Sequence, residues 1–260
     1  MKEMDGVTYY GVEEFNDLGF SREAGRDFSV DDLRGLLERE EMVGVMMDGT
    51  WYADAFCIQR YLDSLTEKGR ALERRAVFLP TQALDLAGER LDGRILDIGG
   101  GGEGVIGRLA GERVVSIDRS GEELAEAPGD RYLKVVMDAT DLKFLDGAFD
   151  TVTAFYSMLY MPSEIHGTVL SEIARVLKPG GEFVLWDAAI PNPGDTSKDV
   201  VVVPVQVRLD GATKITTSYG VKATPRDLAY YVAACGRAGL EREVVDVRGS
   251  AIRARFRKPR

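Results

Sequence analysis

Cysteine and histidine are nearly missing from this chain of 260 residues, which holds two of the first and one of the second. Cys57 and Cys235 stand far apart in the sequence and in no metal-ligand spacing. That argues against a disulfide framework and a metal centre, and makes a reducing cytoplasm the expected compartment. Long apolar runs are missing as well. The most apolar short run, VVVVPVQV at Val200 to Val207, is too short to span a bilayer and contains a proline. The first residues, MKEMDGVTYYGVEEF, lack the apolar h-region of a signal peptide, so no membrane partner is expected. Basic charge is also in deficit. A net charge of −10 would repel phosphates over most of the surface, which argues against wrapping nucleic acid. The tail RGSAIRARFRKPR is the one candidate for a local basic patch. There Ile252, Ala254 and Phe256 alternate with Arg253, Arg255 and Arg257, as in a strand with one face solvated or paired to acidic helices. No internal repeat and no low-complexity tract is present.

What is present describes an ordinary globular chain, 45% hydrophobic and 29% charged, long enough for one domain with an appendage or two small domains. From Arg94 onward short apolar runs alternate with helical patterns, which predicts a parallel sheet with crossover helices. The expected strands are Arg94–Ile98, Arg113–Ile117, Tyr132–Met137, Asp150–Phe155 and Glu182–Trp186. Ser120 and Glu123 have capping-box spacing for a short helix between the second and third. Ile165, Val169, Ile173 and Val176 form one helical stripe, which Lys178, Pro179, Gly180 and Gly181 bring to an end. A loop, DAAIPNPGDTSKD, follows Trp186. Val200–Leu209 and Lys214–Val221 then read as a hairpin turned at Asp210-Gly211. A helix with Pro225 in its first turn and two last strands complete the chain. Before Arg94 the character changes. Ser29 to Glu41 reads as a capped helix, and Thr50 to Arg75 holds another, with Trp51, Ala55, Ile58, Leu62 and Leu65 at helical spacings. No clear alternating strand is legible there. The expectation is a mainly helical cap over residues 1–90, then an α/β domain over 91–260 with a hairpin insertion near 200–221.

The stretch ILDIGGGGEGVIGRL, from Ile95 to Leu109, raises the question of a ligand. Gly99, Gly101 and Gly104 fit the dinucleotide fingerprint G-x-G-x-x-G, and fit equally the first motif of enzymes that use S-adenosylmethionine. Asp97 separates the two readings. A carboxylate so close to a pyrophosphate is repelled, whereas a ligand with an ammonium and a sulfonium gains from it. Asp118 stands at the end of the second strand, where a carboxylate accepts ribose hydroxyls from either ligand. Asp138 follows the third strand, positioned to accept from an adenine amino group.

With LDIGGGG, Asp118, MDATDL and ARVLKPGGEFVLWD in this order, the sequence resembles the class I S-adenosylmethionine-dependent methyltransferases over roughly residues 90 to 190. The resemblance implies a Rossmann-like, doubly wound, seven-stranded and mostly parallel sheet, with S-adenosylmethionine as cofactor. It implies that Gly99, Gly100 and Gly101 let the backbone approach the methionine portion and that Asp97 belongs to the same site. Asp118, with Arg119 beside it, would hold the ribose. Asp138 and the Ala139 amide would bind adenine, and the backbone of Tyr156 would face the ligand's amino group. Glu103 departs from the pattern, which often has a third glycine there; here Gly104 comes one step later. No catalytic base declares itself. His166 has the right pKa range, but its place inside a predicted helix favours packing or solvent exposure. Tyr9, Tyr10, Trp51 and Tyr52 fit core packing better than a substrate pocket. The segment AFYSMLY lacks the Asn-Pro-Pro-Tyr type of sequence, which makes a small molecule the expected acceptor and a protein side chain the second choice. The N-terminal helices and the hairpin are the expected lid that selects it. A nicotinamide-dependent oxidoreductase and a catalytically silent cofactor-binding subunit are the rival readings.

Overall fold

The computed structural model describes residues 1–194 and 197–260. Asp195 and Thr196, part of the loop expected after Trp186, lie outside the described residues. The chain begins β1 (Lys2–Met4), β2 (Val7–Gly11), α1 (Phe20–Ala24), α2 (Val30–Glu38), β3 (Val45–Met47), β4 (Thr50–Asp54), α3 (Ala55–Ser64), α4 (Glu67–Arg75), β5 (Ala76–Phe78) and β6 (Gln82–Asp85). It continues β7 (Ile95–Ile98), α5 (Val105–Ala110), β8 (Val114–Asp118), α6 (Gly121–Glu126), β9 (Leu133–Val136), β10 (Phe149–Phe155), α7 (Ser163–Val176) and β11 (Leu177–Ala188). It ends β12 (Val200–Arg208), β13 (Lys214–Lys222), α8 (Leu228–Arg237), β14 (Glu241–Arg248) and β15 (Ala251–Arg257). Two compact units result. One is Met1–Leu84 with Pro193–Gln206 and Thr216–Gly220; the other is Asp85–Asn192 with Val207–Ile215 and Val221–Arg260.

The second unit holds a seven-stranded sheet in the order β14-β15-β11-β10-β7-β8-β9. The five strands from β11 to β9 are mutually parallel, and β15 runs antiparallel to both β11 and β14. This is the mostly parallel α/β architecture expected from the alternation of apolar runs and helices. Strand periodicity sends Leu96, Ile98, Val152, Ala154, Phe183 and Leu185 to one face. There they form a continuous core with Val169, Leu170 and Ile173 of α7 and Tyr231, Ala234 and Cys235 of α8. Asp97, Ser116 and Thr153 point to the other face by the same alternation. The arginines of β15 are not a free basic patch. Arg253 and Arg255 bond the nearly sealed Glu89, Arg255 and Arg257 bond Glu182, and Arg257 bonds Glu243, so their partners come from a loop and from neighbouring strands rather than from helices.

The first unit differs from the expected mainly helical cap by holding a sheet. Its strands β1-β2-β4-β3 form an antiparallel sheet, with Lys2 opposite Tyr9, Tyr10 opposite Ala53 and Met46 opposite Trp51. Two turns at Asp5-Gly6 and Asp48-Gly49 make this sheet. All four residues have positive φ, between 49° and 80°, the conformation of a type I′ hairpin turn. Thr50 to Arg75 is accordingly a strand and two helices, with Trp51 on the strand. Ser29 does cap α2, accepting from the Asp32 amide while Asp32 answers the Ser29 amide. A separate sheet joins β13, β12 and β5, where β12 and β5 are parallel with Val200 opposite Ala76, and β6 also pairs with β12. The hairpin expected near 200–221 is therefore real, but its residues are shared between the two units. Its turn also differs from the expected type. Neither Asp210 nor Gly211 has positive φ; instead the Asp210 carboxylate accepts from the Ala212 and Thr213 amides. Nor does Pro225 open the last helix. Asp227 caps α8 by accepting from the Tyr230 amide, which leaves Pro225 outside it.

Candidate cofactor site

The site sits at the carboxyl ends of β7, β8, β9 and β10, where a parallel sheet opens a crevice for ligands. The chain leaves β7 through the glycine loop, whose Gly99 and Gly100 amides both donate to the Ile117 carbonyl, at 2.8 and 3.0 Å. The loop is thereby tied to β8. A methyl group on Gly99 would stand 2.5 Å from the Ser157 Cβ, so only glycine lets the loop lie against the chain leaving β10. Gly104 starts α5 with φ +58°, and a methyl group there would meet the Tyr132 hydroxyl at 2.5 Å. The third glycine is therefore required one position after Glu103, where α5 packs on Tyr132.

Asp97 lies beneath this loop, 1% exposed. Thr153 donates to its Oδ1 at 2.7 Å, and the Ser116 hydroxyl lies 3.5 Å from Oδ2 and 3.2 Å from the Gly100 carbonyl. A side chain on Gly100 would collide with both Asp97 and Ser116. Burial raises the Asp97 carboxyl to about 7, opposed by the Thr153 and Ser116 hydroxyls and assisted by the Asp118 charge. The acid read from sequence as facing a ligand thus holds the loop from below.

Asp118, at the end of β8, uses Oδ1 to accept from the Ser120 amide at 2.9 Å. Its Oδ2 lies 3.1 Å from where a methyl group on Gly101 would stand, which puts the carboxylate against the glycine loop. The next strand end follows directly, because the Met137 amide donates to the Asp118 carbonyl. Asp138 accepts from both the amide and the hydroxyl of Thr140, bonds that hold its carboxyl below the usual range. Its other oxygen is 3.6 Å from Arg119 Nε, so Arg119 bridges the β8 and β9 loops. Ala139 is buried beside it. Tyr156 directly follows β10 with φ +48°, a conformation rare for an aromatic residue and of the kind that clusters at functional sites. Its amide donates to the Trp186 carbonyl at 2.8 Å, and its ring is buried. The structure thus brings Asp97, Gly99, Gly100, Gly101, Asp118, Arg119, Asp138, Ala139 and Tyr156 to one edge.

Two features at this edge escape a reading of sequence spacing. Glu123, visible only as a capping residue, has its carbonyl bonded by the Gly102 amide at 3.1 Å. Its charge and that of Glu103 reach Tyr160, whose phenol is pushed up to about 12 by burial first and then by these two carboxylates. The other is a buried polar cluster behind Met158–Met161. His166 is 1% exposed and bonded at both ring nitrogens, so it is neither solvent-facing nor open to a substrate. Asp187, fully buried at the end of β11, is raised to about 7 by desolvation. Among the described residues no group of three or more His, Cys, Asp or Glu side chains is arranged to hold a metal ion, and no helix is long and apolar enough to cross a membrane.

Comparison with known proteins gives a family for this edge. Residues 96–185 match the model of a methyltransferase domain. The 27-O-demethylrifamycin SV methyltransferase of Amycolatopsis mediterranei is 32% identical over 142 residues, 50% of this chain and 48% of that protein. The methyltransferase GfsG of Streptomyces halstedii is 30% identical over 61% of this chain and 58% of its own length. A demethylmenaquinone methyltransferase of Beutenbergia cavernae is 38% identical over 42% and 46%. The chain spans about half the length of these curated relatives. A solved S-adenosylmethionine-dependent methyltransferase from Clostridium acetobutylicum aligns with a TM-score of 0.49 at 16% identity, over 65% of this chain and 85% of that one. The domain match begins on β7 and ends on β11, the strands that build the parallel sheet, so this part of the chain is similar to a methyltransferase domain.

Proposed function

We propose that the protein transfers the methyl group of S-adenosylmethionine to a small-molecule acceptor. The observation that carries this reading is the meeting of the glycine loop, Asp118, Asp138 and the left-handed Tyr156 at the ends of four adjacent parallel strands. The donor set fits the cofactor. Asp118 Oδ2 is turned toward the loop and accepts the ribose hydroxyls, while Asp138 and the Ala139 amide take the adenine edge. Arg119 orders the Asp138 carboxylate from outside. Gly99 and Gly101 keep side chains away from the methionine portion, Gly100 leaves room for Asp97 beneath it, and the Tyr156 backbone faces the amino group. When bound, the cofactor supplies an electrophilic methyl group on a sulfonium. The chain's own work is alignment, and good alignment lowers such barriers by roughly 7–11 kcal/mol.

A small acceptor is supported by relatives named for a demethylrifamycin and a demethylmenaquinone, and by a net charge of −10, which disfavours nucleic acid. A reducing, cytoplasmic setting is part of the reading, since Cys57 and Cys235 are free thiols, both pushed up to about 12 chiefly by burial. Titration calorimetry is the first test. S-adenosylmethionine and S-adenosylhomocysteine are expected to bind, with no comparable heat from NAD or NADP. Tight NADH binding with no response to the methionine-derived ligands would overturn the reading. Incubation with labelled S-adenosylmethionine and a cell extract then identifies the acceptor from the labelled product.

A further inference from the structure

The chain that leaves β10 is held by an unusual double grip. After Tyr156 comes Ser157, whose hydroxyl donates to the Ile98 carbonyl at 2.6 Å, beside Gly99. One tight turn follows, closed by the Tyr160 amide on the Ser157 carbonyl and the Met161 amide on the Met158 carbonyl. The Met158 and Met161 carbonyls are then each bonded by two side chains. His166 Nε2 lies 3.1 and 3.2 Å from them. Arg226 spans the same pair, with one guanidinium nitrogen 2.9 Å from Met158 O and another 3.0 Å from Met161 O. Both partners of Nε2 are acceptors, so Nε2 carries the proton, and Nδ1 accepts from the Tyr230 hydroxyl at 2.9 Å.

These donors come from separate elements. His166 is on the first turn of α7. Arg226 precedes α8 and is itself fixed by backbone bonds to Ile190 in both directions. Both side chains are buried, and burying a guanidinium is expensive unless its bonds are used. A tight turn needs no such pair to close, because its own amides already do so. What the pair adds is a fixed position for the turn relative to Ser157 and Tyr156, which border the glycine loop. The outer end of the same turn, Tyr160, feels the charges of Glu103 and Glu123. The turn therefore reaches from the glycine loop toward the start of α6.

We propose that His166 and Arg226 are positioning residues that clamp the Met158–Met161 turn and so preform the Tyr156–Ser157 wall of the cofactor site. The proposal rests on the reading that this edge binds S-adenosylmethionine. The groups facing His166 are Arg226, Tyr230 and Tyr231 from α8 and the segment before it, and Glu164 from its own helix. Asp187 faces Arg226 and Tyr231 from β11. Burial first, then the Arg226 charge, lowers His166 below its ordinary value, so it is neutral in the clamped state.

Glutamine and asparagine separate a clamp from simple packing. In His166→Gln the side-chain amide reaches the place of Nε2 and still donates; in His166→Asn it replaces Nδ1 and cannot. The probe is S-adenosylhomocysteine, titrated calorimetrically at pH 7.5, with hydrogen exchange of the Tyr160 and Met161 amides measured in parallel. His166→Asn is expected to lose at least fivefold in affinity and to exchange both amides faster. His166→Gln is expected to stay within twofold of the parent. The parent's affinity should fall as pH drops below the ordinary histidine range, where a protonated His166 meets the Arg226 cation, and His166→Gln should lack that fall. Arg226→Lys keeps the charge but loses the fork, and should resemble His166→Asn. A folded His166→Asn or Arg226→Lys with parental affinity and exchange would overturn the proposal. If the parent itself fails to bind the probe, the cofactor reading falls, while the exchange comparison still decides the clamp.

Discussion

At the residue scale, two buried carboxyls make folding depend on pH against the usual direction for acids. Asp97 and Asp187 are each raised from 3.8 to about 7, by desolvation above all. Folding therefore takes up protons between these values. The stabilising contribution is complete below the unfolded pKa and is lost as pH rises through the folded one. Asp97→Asn removes this dependence at one site, because the Asn carbonyl still accepts from Thr153. Its melting temperature should gain on the parent's from pH 5 to about pH 7 and then level off toward pH 8, measured without cofactor. A difference that stays constant over that range would show Asp97 ionised throughout. Asp118 is tested by affinity instead. If it accepts both ribose hydroxyls, Asp118→Ala removes two charge-assisted bonds of roughly 1.5–3 kcal/mol each. Calorimetry should then show at least a tenfold loss in S-adenosylhomocysteine affinity with the fold intact. An unchanged dissociation constant would leave Asp118 as the partner of the Ser120 amide alone.

At the scale of elements, the two type I′ turns of the first sheet offer a matched pair. Gly6 and Gly49 both have positive φ, and a methyl group at Gly49 meets nothing within 4 Å, whereas at Gly6 it would stand 2.9 Å from the Ala83 Cβ. Gly49→Ala should cost only the left-handed backbone penalty, about 1–2 kcal/mol. Gly6→Ala should cost more, and denaturant midpoints of the two variants measure the gap. Equal losses would mean that Ala83 yields freely. The same turns explain what the sequence withheld. Their strands are three to five residues long and none sets buried against exposed positions, so no alternation stands out. The Asp-Gly pairs at 5–6 and 48–49 were the available signal, identical to the pair at 210–211 that did mark a hairpin. The parallel strands were legible because β7, β8 and β10 are buried along nearly their whole length and carry short apolar clusters broken by one or two polar residues. Strand ends then located Asp118 and Asp138. The His166–Arg226 clamp was not legible, since Arg226 reaches carbonyls 65 and 68 residues away and carries no local pattern.

At the scale of the whole molecule, we propose that the unit built on residues 1–84 selects the methyl acceptor. Deleting the first 45 residues is a poor test of that role. Phe15, Phe20, Leu33 and Leu37 share one core with Ile58 and Tyr61, with Phe20 stacked on Tyr61 at 5.8 Å between ring centroids. The truncated protein should bind a hydrophobic dye and lose near-ultraviolet dichroism; native dichroism without dye binding would show that the core survives the cut. The parallel pairing of β5 with β12 has a further consequence, for synthesis rather than for stability. Ala76–Phe78 leave the ribosome more than a hundred residues ahead of Val200–Val202. At about 5–20 residues per second, that is an interval on the order of ten seconds. Throughout it β5 and β6 are exposed strand edges awaiting the same partner, open to any other nascent chain with an unpaired edge. All five parallel strands of the other unit are translated within that wait, so β5 finds its partner only after strands that began later have already been able to pair.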